Sequence, residues 1–255
     1  MSDASTDALP FVAPCRSLAP GAPLRWLALA WRDLAAAPFV GIGYGCGIVA
    51  LSAVITAIGW RFGNGWMVLV LLSAFIFIAP LLAIGLYAIS VQLARGERPT
   101  FVRCRAEARR RISDELVYSL ILMVICLVWV RAGSGLQIFY PESGDPSFAE
   151  LLTFFSIGSA VGSVFALVAF AASAFSLPML LDRRTDGVTA VVTSVNAVLR
   201  NKRAMLVWVV LIVAAVAIGF ATALVGLAIT MPVIGHATWH AYRDAIDASA
   251  WPANE

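Results

Sequence analysis

The only two histidines of the chain, His236 and His240, lie in the run Gly235-His236-Ala237-Thr238-Trp239-His240-Ala241-Tyr242-Arg243. Spaced by four, they share one face of a helix. Two neutral imidazoles so placed can hold Zn or Cu. They cannot both be axial ligands of one haem, because those ligands approach the iron from opposite sides. A metal would need a further ligand, such as the thioether of Met231 or a cysteine thiol from another helix. Ala237 stands where a His-Glu-x-x-His zinc protease carries its glutamate, so that chemistry is excluded. The same residues also suit a quieter role. Trp239, Tyr242 and Arg243 are residue types that anchor a helix at a membrane surface, and histidine near a helix C-terminus complements the dipole. Proton or substrate handling is a third use.

Gly41, Gly43, Gly45 and Gly47 alternate within one apolar stretch and give two small-xxx-small pairs, Gly41/Gly45 and Gly43/Gly47. Such pairs let helix backbones approach closely. With no strand before them and no phosphate-binding lysine after, they do not form a nucleotide loop. Asp and Glu are missing from the middle of every apolar stretch, whereas ion-coupled transporters place one there. Asp114, Glu115 and Asp182 stand only at the edges. No Walker motif, nucleophile elbow or carboxylate pair occurs. The four cysteines (Cys15, Cys46, Cys104, Cys126) have no short pair spacing and read as reduced. The expectation is a protein that is not an enzyme.

The elements that carry these residues belong in a membrane. Of 255 residues, 61% are hydrophobic and 13% charged, against about 25% charged in a soluble domain. The surplus apolar surface must face lipid. At about 20 residues per crossing, six spans fit. They are Phe39 to Trp60, Trp66 to Gln92, Leu116 to Arg131, Leu151 to Leu181, and two within Ala204 to Ala241. A single helix over that last stretch would be almost twice the hydrocarbon thickness, so a turn is expected between Gly219 and Gly226, with no polar loop to mark it. Gly63, Asn64 and Gly65 read as the tight turn after span one.

Basic residues gather on alternate loops. Arg16, Arg25 and Arg32 precede span one. Arg95, Arg98, Arg103, Arg105, Arg109, Arg110 and Arg111 separate spans two and three. Arg183, Arg184, Arg200, Lys202 and Arg203 separate spans four and five, and Arg243 closes span six. Only Arg61 and Arg131 fall on the other side. The rule that basic loops stay inside then places both termini in the cytoplasm. The net charge of +3 sits beside apolar spans, which argues against nucleic acid as a partner.

A repeat underlies the spans. Leu24 to Ala37, Phe101 to Asp114 and Val188 to Arg203 are amphipathic basic stretches, each ahead of an odd-numbered span. Such helices lie in the interface with arginines toward headgroups. Arg109, Arg110 and Arg111 serve either as topology anchors or as a docking surface for anionic lipid or a partner. Pro80, Pro178 and Pro232 recur in the second span of each unit. The expected fold is all-α, with six transmembrane helices as three hairpins, each preceded by an interfacial helix. Residues 1–23 read as a disordered cytoplasmic tail without a signal peptide, 24–247 as one transmembrane domain and 248–255 as a short cytoplasmic tail.

With the run from Gly235 to Arg243 in view, the chain resembles a bacterial integral-membrane family known as domain of unknown function 2189. Trp31-Arg32-Asp33-Leu34, Pro80 to Tyr87 and Ser176-Leu177-Pro178 to Asp182 are similar too, so the resemblance spans about residues 24–247. It implies a six-helix protein of the bacterial inner membrane, with the bilayer and possible subunits of a membrane complex such as a respiratory oxidase as partners. The expected role is a non-enzymatic accessory, assembly or scaffold component without a cofactor. The alternatives are a protein that handles Cu, Zn or haem through His236 and His240, and a transporter of small solutes or lipids.

Overall fold

The computed structural model of the chain describes residues 10–62, 83–110, 112–136 and 147–254. The regular elements among them are all α-helices: α1 (Ala22–Ala36), α2 (Pro38–Phe62), α3 (Ile84–Ala94), α4 (Phe101–Arg110), α5 (Ile112–Leu136), α6 (Phe148–Ser173), α7 (Ser176–Asp182), α8 (Gly187–Arg200), α9 (Lys202–Ala221) and α10 (Leu227–Ala245).

Four stretches are long and apolar enough to cross a bilayer: Pro38–Arg61, Leu116–Gly135, Phe148–Asp182 and Lys202–Ala221. Six were expected. Most of the second expected span, with Pro80 and the Gly63 to Gly65 turn, lies outside the described residues, and only its end is seen as α3. The sixth is α10. It is helical, but His236, Thr238, His240, Arg243 and Asp244 interrupt its apolar run. Among the described residues four candidate crossings are therefore seen.

Helix boundaries follow local chemistry. Pro38 opens α2 one residue after α1 ends, a position where its missing N–H costs nothing. Asn201 separates α8 from α9 in the same way. The expected fourth span is interrupted. Pro178 has no N–H to offer the Ala174 carbonyl, and the helix is interrupted there between α6 and α7. Ser194 of α8 repairs the break. Its hydroxyl accepts from the Phe175 amide at 3.0 Å and donates to the Ala171 carbonyl at 2.7 Å.

The turn between α9 and α10 falls inside the expected window. Ala223 and Leu224 adopt φ of 51° and 73°, a left-handed conformation that L-residues seldom take. Thr222 holds them there. Its hydroxyl donates to the Ile218 carbonyl and accepts from the Gly226 amide at 2.8 Å. This single hydroxyl is the polar marker that the sequence hides among alanines and valines.

The core gathers where α2, α5 and α9 begin and α6 ends. Trp26 of α1 and Trp208 of α9 meet edge to face at 5.7 Å within it. From Gly235 onward α10 is buried on most sides. Trp239 and Tyr242, expected as membrane-surface anchors, are core residues, and Tyr242 bonds Asp182 of α7.

Residues 1–9 lie outside the described residues, and several backbone groups of 10–21 are bonded to the rest of the chain. Ala13 is buried and its amide donates to Thr193. The Leu18 amide donates to Asn201 Oδ1 at 2.8 Å, and Asn201 Nδ2 donates to the Arg16 carbonyl. The Arg16 amide donates to Ala245 O and the Asp247 amide to Pro14 O, both at 2.8 Å. This segment is held because its backbone polar groups find partners on α8 and on the chain after α10. Residues 248–254 are held likewise: Trp251 is buried, and the Asn254 side chain donates to the Leu180 and Leu181 carbonyls.

Candidate functional site

Three helices bring the chemistry-bearing residues together. α1 presents Asp33, α3 presents Ser90, and α10 presents His236 and His240. The helical spacing of four puts both imidazoles on one side of α10, yet they turn to different neighbours. His240 Nε2 lies 2.9 Å from Asp33 Oδ2. Ser90 Oγ lies 3.2 Å from that same oxygen and 2.6 Å from His236 Nδ1. The chain of contacts runs His240, Asp33, Ser90, His236.

A carboxylate only accepts, so His240 Nε2 carries hydrogen toward Asp33. Ser90 has one hydrogen, and where it goes sets the tautomer of His236. Given to Asp33, it leaves Ser90 accepting from Nδ1–H and Nε2 with a bare lone pair; given to Nδ1, it leaves the His236 hydrogen on Nε2. His236 is fully buried, and Nε2 has no hydrogen-bond partner among the described residues. It faces Gly41 of α2: a Cβ there would lie 3.7 Å from Nε2 and closer still, at 2.6 Å, to Leu34 Cδ1. His240 is shallower, with 22% of its side chain exposed.

The rest of α10 is tied down in the same style. Asp244 accepts from Trp26 Nε1 at 2.9 Å and pairs with Arg25, both on α1. Tyr242 donates to Asp182 at the end of α7 at 2.8 Å, and Arg183 Nε reaches that carboxylate at 3.0 Å. Arg243 stacks over Trp239, 5.8 Å from the ring centre. The arrangement orders helices. Among the described residues no three of His, Cys, Asp and Glu come close enough to hold a metal ion. What remains for a metal is Nε2 of His236, buried and without a hydrogen-bond partner among the described residues.

The glycines of α2 diverge in their surroundings. A Cβ at Gly45 would overlap the Ala228 backbone of α10, and one at Gly43 would stand 2.8 Å from the Phe101 ring of α4. Nothing lies within 4 Å of a Cβ at Gly47. Gly235 of α10 in turn fits against Leu86 of α3. Arg109 and Arg110 close α4, and Arg111 lies outside the described residues. Asp33 and Ser90 are the site residues that sequence reasoning missed as partners of the histidines. The one available signal was an acidic residue on the amphipathic stretch before span one.

One comparison identifies relatives. Residues 67–182 match the DUF2189 family model, described as a predicted integral membrane protein. The DUF2189 match and the four long apolar helices agree that the chain is an integral membrane protein that contacts the bilayer. The DUF2189 segment runs from the expected second span to the end of α7. It takes in Pro80 to Tyr87 and Ser176 to Asp182 but stops before the run from Gly235 to Arg243. Of the four site residues only Ser90 falls within it. No curated protein and no solved structure matches the chain significantly.

Proposed function

We propose that this protein is a non-enzymatic accessory, assembly or scaffold component of a membrane complex, with both termini in the cytoplasm. The observation that carries this reading is how little of its apolar helices the chain covers itself. In three of the four candidate crossings, the most apolar 18 consecutive residues are mostly uncovered: 17% are buried in Pro38–Arg61, 11% in Leu116–Gly135 and 22% in Lys202–Ala221, against 56% in Phe148–Asp182. Helix faces this free can pack against the transmembrane helices of other subunits. The groups that could do acid–base chemistry are instead bonded between α1, α3 and α10. Purification in mild detergent tests the reading: it requires stoichiometric membrane partners, and recovery of a lone protomer from native membranes would sink it.

A metal- or haem-handling role is favoured by one observation, the buried Nε2 of His236 without a partner among the described residues. Protein purified from metal-replete cells should then carry Cu, Zn or a haem absorbance band that His236→Ala removes. Metal-free and colourless protein eliminates this role.

A further inference from the structure

Two helices far apart in sequence present the same outward stripe. On α1, Leu24, Ala28, Trp31 and Ala35 face out, with Leu24 61% and Trp31 59% exposed. On α8 the corresponding residues are Val188, Val192, Val195 and Leu199, with Leu199 56% exposed. Both follow the spacing i, i+4, i+7, i+11, which is one face of a helix. α8 buries Thr189, Thr193 and Ser194, with Ala190 and Ala197, against the protein, and Val191 and Val198 pack on the core beside them. Val188 and Leu199 are exposed, and Val192 and Val195 half-buried, on the other side. Apolar side chains left uncovered beside buried hydroxyls are not what water favours.

Each stripe leads within a few residues into an apolar helix that is itself uncovered: Phe39 on α2 is 90% exposed, and Leu206 on α9 is exposed too. Arg32, Lys202 and Arg203 are exposed and make no ion pair among the described residues. We infer that α1 and α8 are two arms of one lipid-binding surface, which seats its apolar stripes in a single leaflet and holds anionic phospholipid headgroups with Arg32, Lys202 and Arg203. Each stripe stands directly ahead of the first turn of a crossing helix, at the depth where acyl chains meet headgroups, which commits it to lipid, and the unpaired cations commit the rim to anionic headgroups. This assignment is independent of the accessory role.

Two measurements on the full chain test it. A benzophenone-bearing residue in place of Trp31 or of Val192, irradiated in native membranes, should form phospholipid adducts. Adducts with another protein or a second copy, or no adduct, would overturn the assignment. In nanodiscs of mixed phosphatidylglycerol and phosphatidylcholine, native mass spectrometry should find the anionic lipid retained preferentially. The combined change Arg32→Gln, Lys202→Gln and Arg203→Gln should lower that preference about tenfold. These side chains are exposed, so the fold is retained. An unchanged lipid ratio refutes the headgroup role.

Discussion

Asp33 serves two partners through one oxygen, so Asp33→Ala strips His240 and Ser90 at once. The expected loss is about 2–3 kcal/mol, the scale of hydrogen bonds to a charged group, read as a lower unfolding midpoint in mild detergent. Ser90→Ala leaves His236 Nδ1 buried without its partner and should cost about 1–3 kcal/mol; a midpoint equal to the parent's would show that the relay holds nothing. Asp186 caps α8 by accepting from the amides of Val188 and Thr189. Burial raises its pKa, but the Thr189 hydroxyl and these amides outweigh it and hold the carboxyl below its ordinary value. A lowered folded pKa means stability that is fully present above about pH 4 and lost as pH falls through the folded value. Asp186→Ala should cost about 1 kcal/mol at pH 7. Asp186→Asn should keep the cap and lose less than the parent between pH 7 and pH 3, seen in paired unfolding curves. At this scale the histidine pair was legible, since spacing by four fixes a shared face. Its partners were not, because Asp33 lies 207 residues from His240 and Ser90 lies 146 from His236. No periodicity links positions that distant.

Helix against helix, the small residues separate close approach from mere composition. Gly45→Val would drive a side chain into the Ala228 backbone and force α2 from α10, so the thermal midpoint should fall steeply. Gly47→Ala meets open space and should be neutral or stabilising by up to about 1 kcal/mol, because alanine is the better helix former. Equal effects at the two positions would contradict the packing described for α2. Ser194 holds the α6–α7 break, so Ser194→Ala leaves the Phe175 amide unsatisfied and should cost about 1–3 kcal/mol in the same assay. The amphipathic stretches, the window of the α9–α10 turn and the apolar reach of α2, α5 and α9 could be read from the sequence, since hydrophobic period and length decide them. The α6–α7 break could not. Pro178 announces a disturbance, but whether a helix tilts, kinks or stops depends on what satisfies the backbone groups around it, and here a serine from another element bonds the Phe175 amide and the Ala171 carbonyl.

For the molecule as a whole, composition announced the membrane, and the concentration of arginine beside particular helix ends announced an orientation. Reporter fusions test that orientation. A fluorescent protein at either end should fold and fluoresce in the cytoplasm, and alkaline phosphatase at either end should stay inactive; one active phosphatase fusion would reverse the topology. What composition concealed is that the apolar character is shared between two tasks. Helices such as α5 spend it on the exterior, while α10, interrupted by polar residues, is enclosed. Residues before α1 and after α10 bond to each other, as do Arg184 and Pro252. This seam dictates an order of events at the ribosome. The groups on α10 that receive Arg25, Trp26 and Asp33 follow them by 207 to 219 residues. At about 5–20 residues per second, α1 emerges about 10–40 s before its acceptor is synthesised. Through that interval α1 lacks its carboxylate and imidazole partners on α10, and its edge-to-face contact with Trp208 can form only near the interval's end. Chains that lose the last helix would leave Arg25, Trp26 and Asp33 without those partners, a mark by which a quality-control protease can tell an unfinished copy from a finished one.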